Sequence, residues 1–251
     1  MIIRKETACF LSASVFMFFF NYFSPEIFAG QLKYLFLCLL VIIFGLPHGA
    51  LDTLEAQQNK MIRNKQEFLI FNITYLLLAA IIFFSWKHAS LLMLSLFLFI
   101  SALHFSEDWK SKTNSYECIT IGFSVISFPV IFHEEKAYLL YSYLSDSQNL
   151  LYLITFQKLS SYLLLFLLIL MSIKYFKKLN FILQISTLIF SSYLLEPIYF
   201  FIAFFCFFHS IKNFEQVFKD IKISNYNLIL IINVLATVLI GLVLYFFLFR
   251  G

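Results

Sequence analysis

The chain has 251 residues, 61% of them hydrophobic and only 13% charged, with 35 phenylalanines, a formal net charge of +4 and a mean hydropathy of +0.87. That balance excludes an ordinary water-soluble domain and fits an integral membrane protein. The Phe excess rises together with Ile, Leu and Lys, as in a compositionally biased genome, so it carries little functional information.

The N-terminus, MIIRKETACFLSASVFMFFF, has the basic start and apolar core of a signal peptide. Only a weak Phe28-Ala29-Gly30 follows as a cleavage site, so an uncleaved first helix is expected. Apolar runs of roughly 16 to 23 residues recur from there on, near the 20 or so that a hydrocarbon core requires. They predict helices over about 8–24, 32–47, 67–85, 89–104, 115–132, 157–173, 180–195, 197–212 and 227–249. The expected fold is all-α, a polytopic transmembrane bundle of about eight or nine helices in a single integral membrane domain over residues 1–251. Glu196-Pro197 separates the seventh and eighth runs, because proline disfavours a helix passing through it. A tight turn and a broken single pass both satisfy that spacing. Residues 133–159 are apolar but interrupted by Ser145, Asp146, Ser147, Gln148 and Asn149, which predicts an interfacial or re-entrant cap on the outer side.

The loop charges give this topology a direction. With the N-terminus inside, one face collects Arg4, Lys5, Lys60, Arg63, Lys65, Lys110, Lys112, Lys174, Lys177, Lys178, Lys212, Lys219 and Lys222. The other receives Lys33, Lys87, Lys136, Lys158 and Arg250. By the positive-inside rule the first face is cytoplasmic, in a bacterial inner membrane. These cations face anionic lipid, and no nucleic acid partner is needed to explain them. The cysteines (Cys9, Cys38, Cys118, Cys206) are scattered without C-x-x-C or disulfide spacing and read as small core residues.

The five histidines are sorted by the same topology. His48, His104 and His209 come at the cytoplasmic ends of the second, fourth and eighth helices, whereas His88 and His133 fall at the opposite face. Ionisable residues inside a membrane are costly and usually face the bundle interior, so three imidazoles at one depth point to a metal site. Each has a polar residue four positions on, sharing its helix face: His48 with Asp52, His104 with Asp108, His209 with Asn213. Asp52 and Asp108 suit the role of accepting a ligating histidine's second ring N–H, or could bind the metal directly. Histidine nitrogen with optional carboxylate suits iron(II) or zinc. Five histidines are too few for the di-iron membrane desaturases, which leaves a mononuclear centre. Phe105, Trp109, Phe204, Phe205, Phe207 and Phe208 adjoin these positions and are candidates for lining an apolar tunnel. Glu107 reads as a loop carboxylate, and no Ser/His/Asp set, phosphate-binding loop or nucleotide fingerprint is present.

The motifs PHGALD, HFSEDW and FFHSIKN, spaced between about residues 35 and 220, resemble the Brp/Blh family of membrane β-carotene 15,15′-dioxygenases. The resemblance implies a non-haem Fe(2+) held by histidines, and cleavage of the central double bond of β-carotene by O2 to give two retinal molecules. It implies His48, His104 and His209 as iron ligands; a retinal-binding rhodopsin is a separate candidate partner that would receive the retinal. The family's last motif continues as a histidine pair four residues apart. Here the second position is Asn213, whose amide oxygen is a poor iron ligand. Two alternatives stay open: a weakened or inactive homologue that binds carotenoid or retinal, and a proton-coupled membrane transporter.

Overall fold

The structure is a computed structural model that describes residues 3–23, 31–45, 56–57 and 60–220. Its helices are α1 (Lys5–Phe23), α2 (Gln31–Leu40), α3 (Lys65–His88), α4 (Ser90–Ser106), α5 (Ser115–Phe132), α6 (Glu134–Ser142), α7 (Leu150–Lys174), α8 (Leu179–Leu194), α9 (Pro197–Phe204) and α10 (Ser210–Asp220). Among the described residues there is no strand. Six stretches are long and apolar enough to cross a membrane: α1, α3, α4 with the turn after it, α5, α7, and Pro197–Glu215. The all-α bundle expected from hydropathy is the fold observed. The ninth predicted span, 227–249, lies outside the described residues.

Local chemistry sets several of the boundaries. Asn114 caps α5 by accepting from the Glu117 N–H at 2.9 Å, and the Glu117 carboxylate accepts from the Asn114 N–H at 3.1 Å, so two otherwise unpaired donors are satisfied together. Leu195 is extended and Pro197 opens α9 in its first turn, where a missing N–H costs nothing. The Glu196-Pro197 junction is therefore a turn between two helices.

Two spans differ from expectation. Residues 133–159 divide into the short helix α6 and the beginning of α7, which starts at Leu150 instead of near 157. No proline or glycine interrupts residues 150–174, and their polar side chains find partners. Lys158 pairs with Glu134, and the Ser161 hydroxyl donates to the Ser127 carbonyl of α5 at 2.9 Å. The last described span also continues past 212, through a π turn into α10.

The main core joins α1, α5, α8 and α9. Phe10 and Met17 of α1 are buried against Ile121, Phe128, Ile185, Phe200 and Phe204. Apolar burial gives little driving force between helices already solvated by lipid, so close packing and interhelical hydrogen bonds carry the association. Gly122 shows how close: a Cβ there would stand 2.1 Å from the Ala102 carbonyl oxygen of α4. A smaller outer cluster, with Leu94, Val130, Ala137, Tyr141, Leu150 and Ile154, fills the space beneath α6. In contrast, α3 buries no residue and packs chiefly on α4. Its outer end is tied by the Trp86 indole N–H donating to the Leu144 carbonyl at 2.7 Å.

Two π turns interrupt the helical ladder, at Val41–Gly45 after α2 and at Phe205–His209 after α9. They pack on each other. Gly45 is required there, since a Cβ would meet the Phe205 ring at 2.4 Å. The contact is completed by Phe44 against Phe207, with ring centroids 5.3 Å apart, and by the Cys206 thiol against the Leu40 carbonyl at 3.6 Å.

Candidate functional site

α4 and α9 run in the same direction along the bundle, and each carries a histidine near the end rich in Lys and Arg. His104 lies in the last turn of α4, and His209 closes the second π turn. Single π turns inside α-helices recur at functional sites because the wider turn re-aims side chains. The two imidazole rings have centroids 4.7 Å apart, at an interplanar angle of 68°. His209 is buried and His104 is exposed, so the pair is closed on the α9 side and open on the other.

Asp108 reaches across to His209 and not to His104 of its own helix. The short 3-10 turn Glu107–Trp109 after α4 swings its carboxylate inward, and Oδ2 accepts from His209 Nδ1 at 2.8 Å. Both groups are buried. A carboxylate accepts this bond, so Nδ1 carries its proton, and in the neutral imidazole that leaves the lone pair on Nε2. The second carboxylate oxygen faces Lys212 Nζ at 3.5 Å, and the Lys212 ammonium also lies over the Trp109 ring, 5.6 Å from its centroid. Lys212 stands three residues after His209, on the same face of the helix. It was overlooked in the sequence as a loop cation, although that spacing was available to find it.

The aromatic residues singled out beside the histidines form a packed stack. Trp109 lies against Phe208 at 5.3 Å and Phe204 against Phe208 at 5.2 Å, while Phe105 meets both Phe204 and the His209 ring. Phe205 stacks on His209 at 6.0 Å. Phe105, Trp109, Phe204 and Phe208 are buried, and they shield the His209 side from water. A separate apolar cavity of about 310 Å³ lies deeper in the bundle, between α4, α5, α6 and α9. Leu94, Leu98 and Ser101 line it from α4, and Ile198, Phe200 and Phe201 from α9.

Asn213 is half-buried, and its side-chain oxygen makes no hydrogen bond among the described residues. His48 and Asp52 lie outside the described residues. His88 and His133 are remote from this site: His133 opens α6, where Nε2 donates to the Tyr193 carbonyl at 3.0 Å.

Residues 39–250 match a family model described as beta-carotene 15,15′-dioxygenase. The chain belongs to that family. No curated protein and no solved structure matches it. The match takes in both π turns, the His104–Asp108–His209 arrangement and all four of the cavity's helices, but not α1.

The two histidine rings of this dioxygenase-family chain meet edge-to-face at the spacing of an ordinary aromatic contact. Among the described residues no group of three or more His, Cys, Asp and Glu side chains is arranged to hold a metal. A further ligand would have to come from elsewhere in the chain.

Proposed function

We propose that this chain is an iron(II)-dependent dioxygenase that cleaves the 15,15′ double bond of β-carotene with O2, giving two molecules of retinal, and that His48, His104 and His209 hold the iron. The observation that carries the reading is the juxtaposition of His104 with a His209 whose tautomer is set by buried Asp108. His48 follows Gly45 by three residues in the chain, and Gly45 packs on Phe205. Phe205 in turn stacks on His209. The loop charges support a site at the cytoplasmic face of a bacterial inner membrane.

Bound iron(II) would supply the electrons that let triplet O2 react with an alkene. The chain's own residues do the rest. Asp108 holds the His209 ring in one orientation through Nδ1, which makes Nε2 the atom that would ligate the iron, and Lys212 balances the carboxylate's charge. The aromatic stack keeps water from the buried side. The cavity takes one end of the substrate: on α4 its lining residues stand three to ten positions before His104, roughly 4.5 to 15 Å along the helix. On α9, Ile198 and Phe201 stand eleven and eight positions before His209, at a matching depth. That length suits about one half of an extended β-carotene, so the cavity would present the central bond near the histidines by position alone.

A second reading, a homologue that binds carotenoid without cutting it, is favoured by Asn213, which occupies the position of the family's usual histidine. Both are tested by expressing the chain in bacteria that make β-carotene and measuring retinal, beside His104→Ala, His209→Ala and Asn213→His. Retinal from the wild type, lost in both alanine variants, is the expected result. An intact β-carotene pool in the wild type that Asn213→His converts would establish the second reading.

A further inference from the structure

At the basic end of the bundle, apart from the histidines, a cleft of about 250 Å³ opens between the start of α1, the turn joining α4 to α5, and the N-terminus of α8. Its walls are Arg4, Ser111, Lys112, Lys178, Asn180 and Gln184. Behind them lies a single buried carboxylate, Glu6, which Arg4 and Lys112 share at 3.8 and 3.9 Å. Those separations are well beyond the roughly 2.7–2.9 Å of a charge-assisted hydrogen bond. Glu6 instead accepts from the Gln184 amide at 3.1 Å, and Lys112 donates to the Gln184 carbonyl oxygen at 3.0 Å. Lys178 adds a third cation, 4.5 Å from the centre of the Tyr175 ring. As N-cap of α8 it contributes no side-chain acceptor, so the positive end of that helix also faces the cleft.

Among the described residues the local charge is unbalanced: Arg4, Lys112 and Lys178 line the cleft with Lys212 nearby, against the carboxylates of Glu6 and Asp108. Burial first, and then the nearby Lys212 and Arg4, push the Lys112 ammonium down to about 8. An anion with several acceptor oxygens would balance the local charge. The cleft sits where transmembrane helices end in clustered Lys and Arg, the level at which anionic lipid headgroups lie, and basic pockets between helix ends bind such headgroups. Leu11 and Val15 of α1 and Leu179 of α8 are exposed, giving acyl chains apolar surface beside it.

We propose that this cleft binds the phosphate of an anionic phospholipid headgroup. Arg4, Lys112 and Lys178 supply its charged donors, and Ser111 and Asn180 neutral ones. Because Arg4 belongs to the start of α1 and Lys178 to the start of α8, a bound phosphate braces two helices of the main core. The inference is independent of the oxygenase reading.

The test is thermal unfolding of the purified full-length chain in mild detergent with added phosphatidylglycerol, phosphatidylcholine of the same acyl chains, or inorganic phosphate. Phosphatidylglycerol should raise the midpoint more than phosphatidylcholine does. Arg4→Gln/Lys178→Gln should lose at least half of that difference, and Lys60→Gln/Lys65→Gln, which removes two basic-end charges away from the cleft, should keep it. Asn180→Glu places a carboxylate at an exposed position of the cleft and should lose the difference even if the double variant folds poorly. Equal effects of the two lipids on the wild type, or a full phosphatidylglycerol effect in Asn180→Glu, would overturn the proposal. A shift of the same size from inorganic phosphate would assign the cleft to free phosphate and overturn the lipid.

Discussion

Asp108 and His209 are 101 positions apart in the chain, yet the carboxylate accepts from the imidazole at 2.8 Å in a buried setting. The i, i+4 spacing within α4 favours His104 as its partner, and the 3-10 turn after α4 redirects it. Asp108→Asn keeps the shape but replaces an obligate acceptor with an amide that can equally present its N–H₂ to the ring. Metal affinity should fall by about 10- to 100-fold, as when such orienting carboxylates are lost elsewhere. Iron per chain, measured after equilibration with graded free Fe(2+), checks this; an unchanged affinity would detach Asp108 from the metal.

The two π turns make a reciprocal steric prediction. Gly45→Leu drives a side chain into the space of the Phe205 ring, at an overpacking cost of about 1–3 kcal/mol. The variant should unfold at lower temperature and make less retinal. Phe205→Ala in the same chain should restore part of both, because it removes the atoms that a Cβ at position 45 meets. Additive losses in the double variant would mean that the two positions do not touch.

Occluding the deep cavity should separate substrate binding from metal binding. Ser101 is the α4 lining residue closest in the chain to His104, and Ser101→Phe places a ring across that end. Turnover of β-carotene should drop by about tenfold or more, roughly 1.4 kcal/mol or more of barrier, while iron content stays at the wild-type level. Full turnover in this variant would place the substrate elsewhere.

Lys112 gives the fold a pH dependence of definite sign. Its folded value of about 8 lies below the 10.5 of a free lysine, with burial, Lys212 and Arg4 lowering it against the pull of Glu6 and Asp108. Between those two values the unfolded chain holds more protons than the folded one, so stability from this group rises with pH. Below pH 8 both states are charged and the full cost of burying the ammonium is present. In zwitterionic detergent the melting midpoint should therefore climb from pH 8 to 10 relative to that of Lys112→Met. Parallel curves for the two proteins would contradict the assignment.

The helices were legible because each apolar run must satisfy its backbone internally in lipid, which makes composition nearly a structural statement. The early start of α7 was hidden because Gln157, Lys158 and Ser161 look like interruptions until their partners on α5 and α6 are known. The π turns leave no compositional mark: Val41–Gly45 and Phe205–His209 read as ordinary apolar helix. The depth of His104 and His209 followed from topology, but their partners did not, since a 3-10 turn and a π turn rotate side chains in ways that no spacing rule encodes. Phe204 and Phe208 point into the stack against Phe10, whereas Phe201, one turn before Phe205, lines the open space.

The isolation of α3 bears on how the protein can be handled. A 24-residue helix with no buried side chain turns most of its girth to acyl chains, and among the described residues its attachment rests chiefly on α4 and on the Trp86 tether. Its integrity is thus borrowed from the bilayer. Short-chain, stripping detergents should loosen α3 before they disturb the histidines, and reconstitution into nanodiscs should recover what extraction removes.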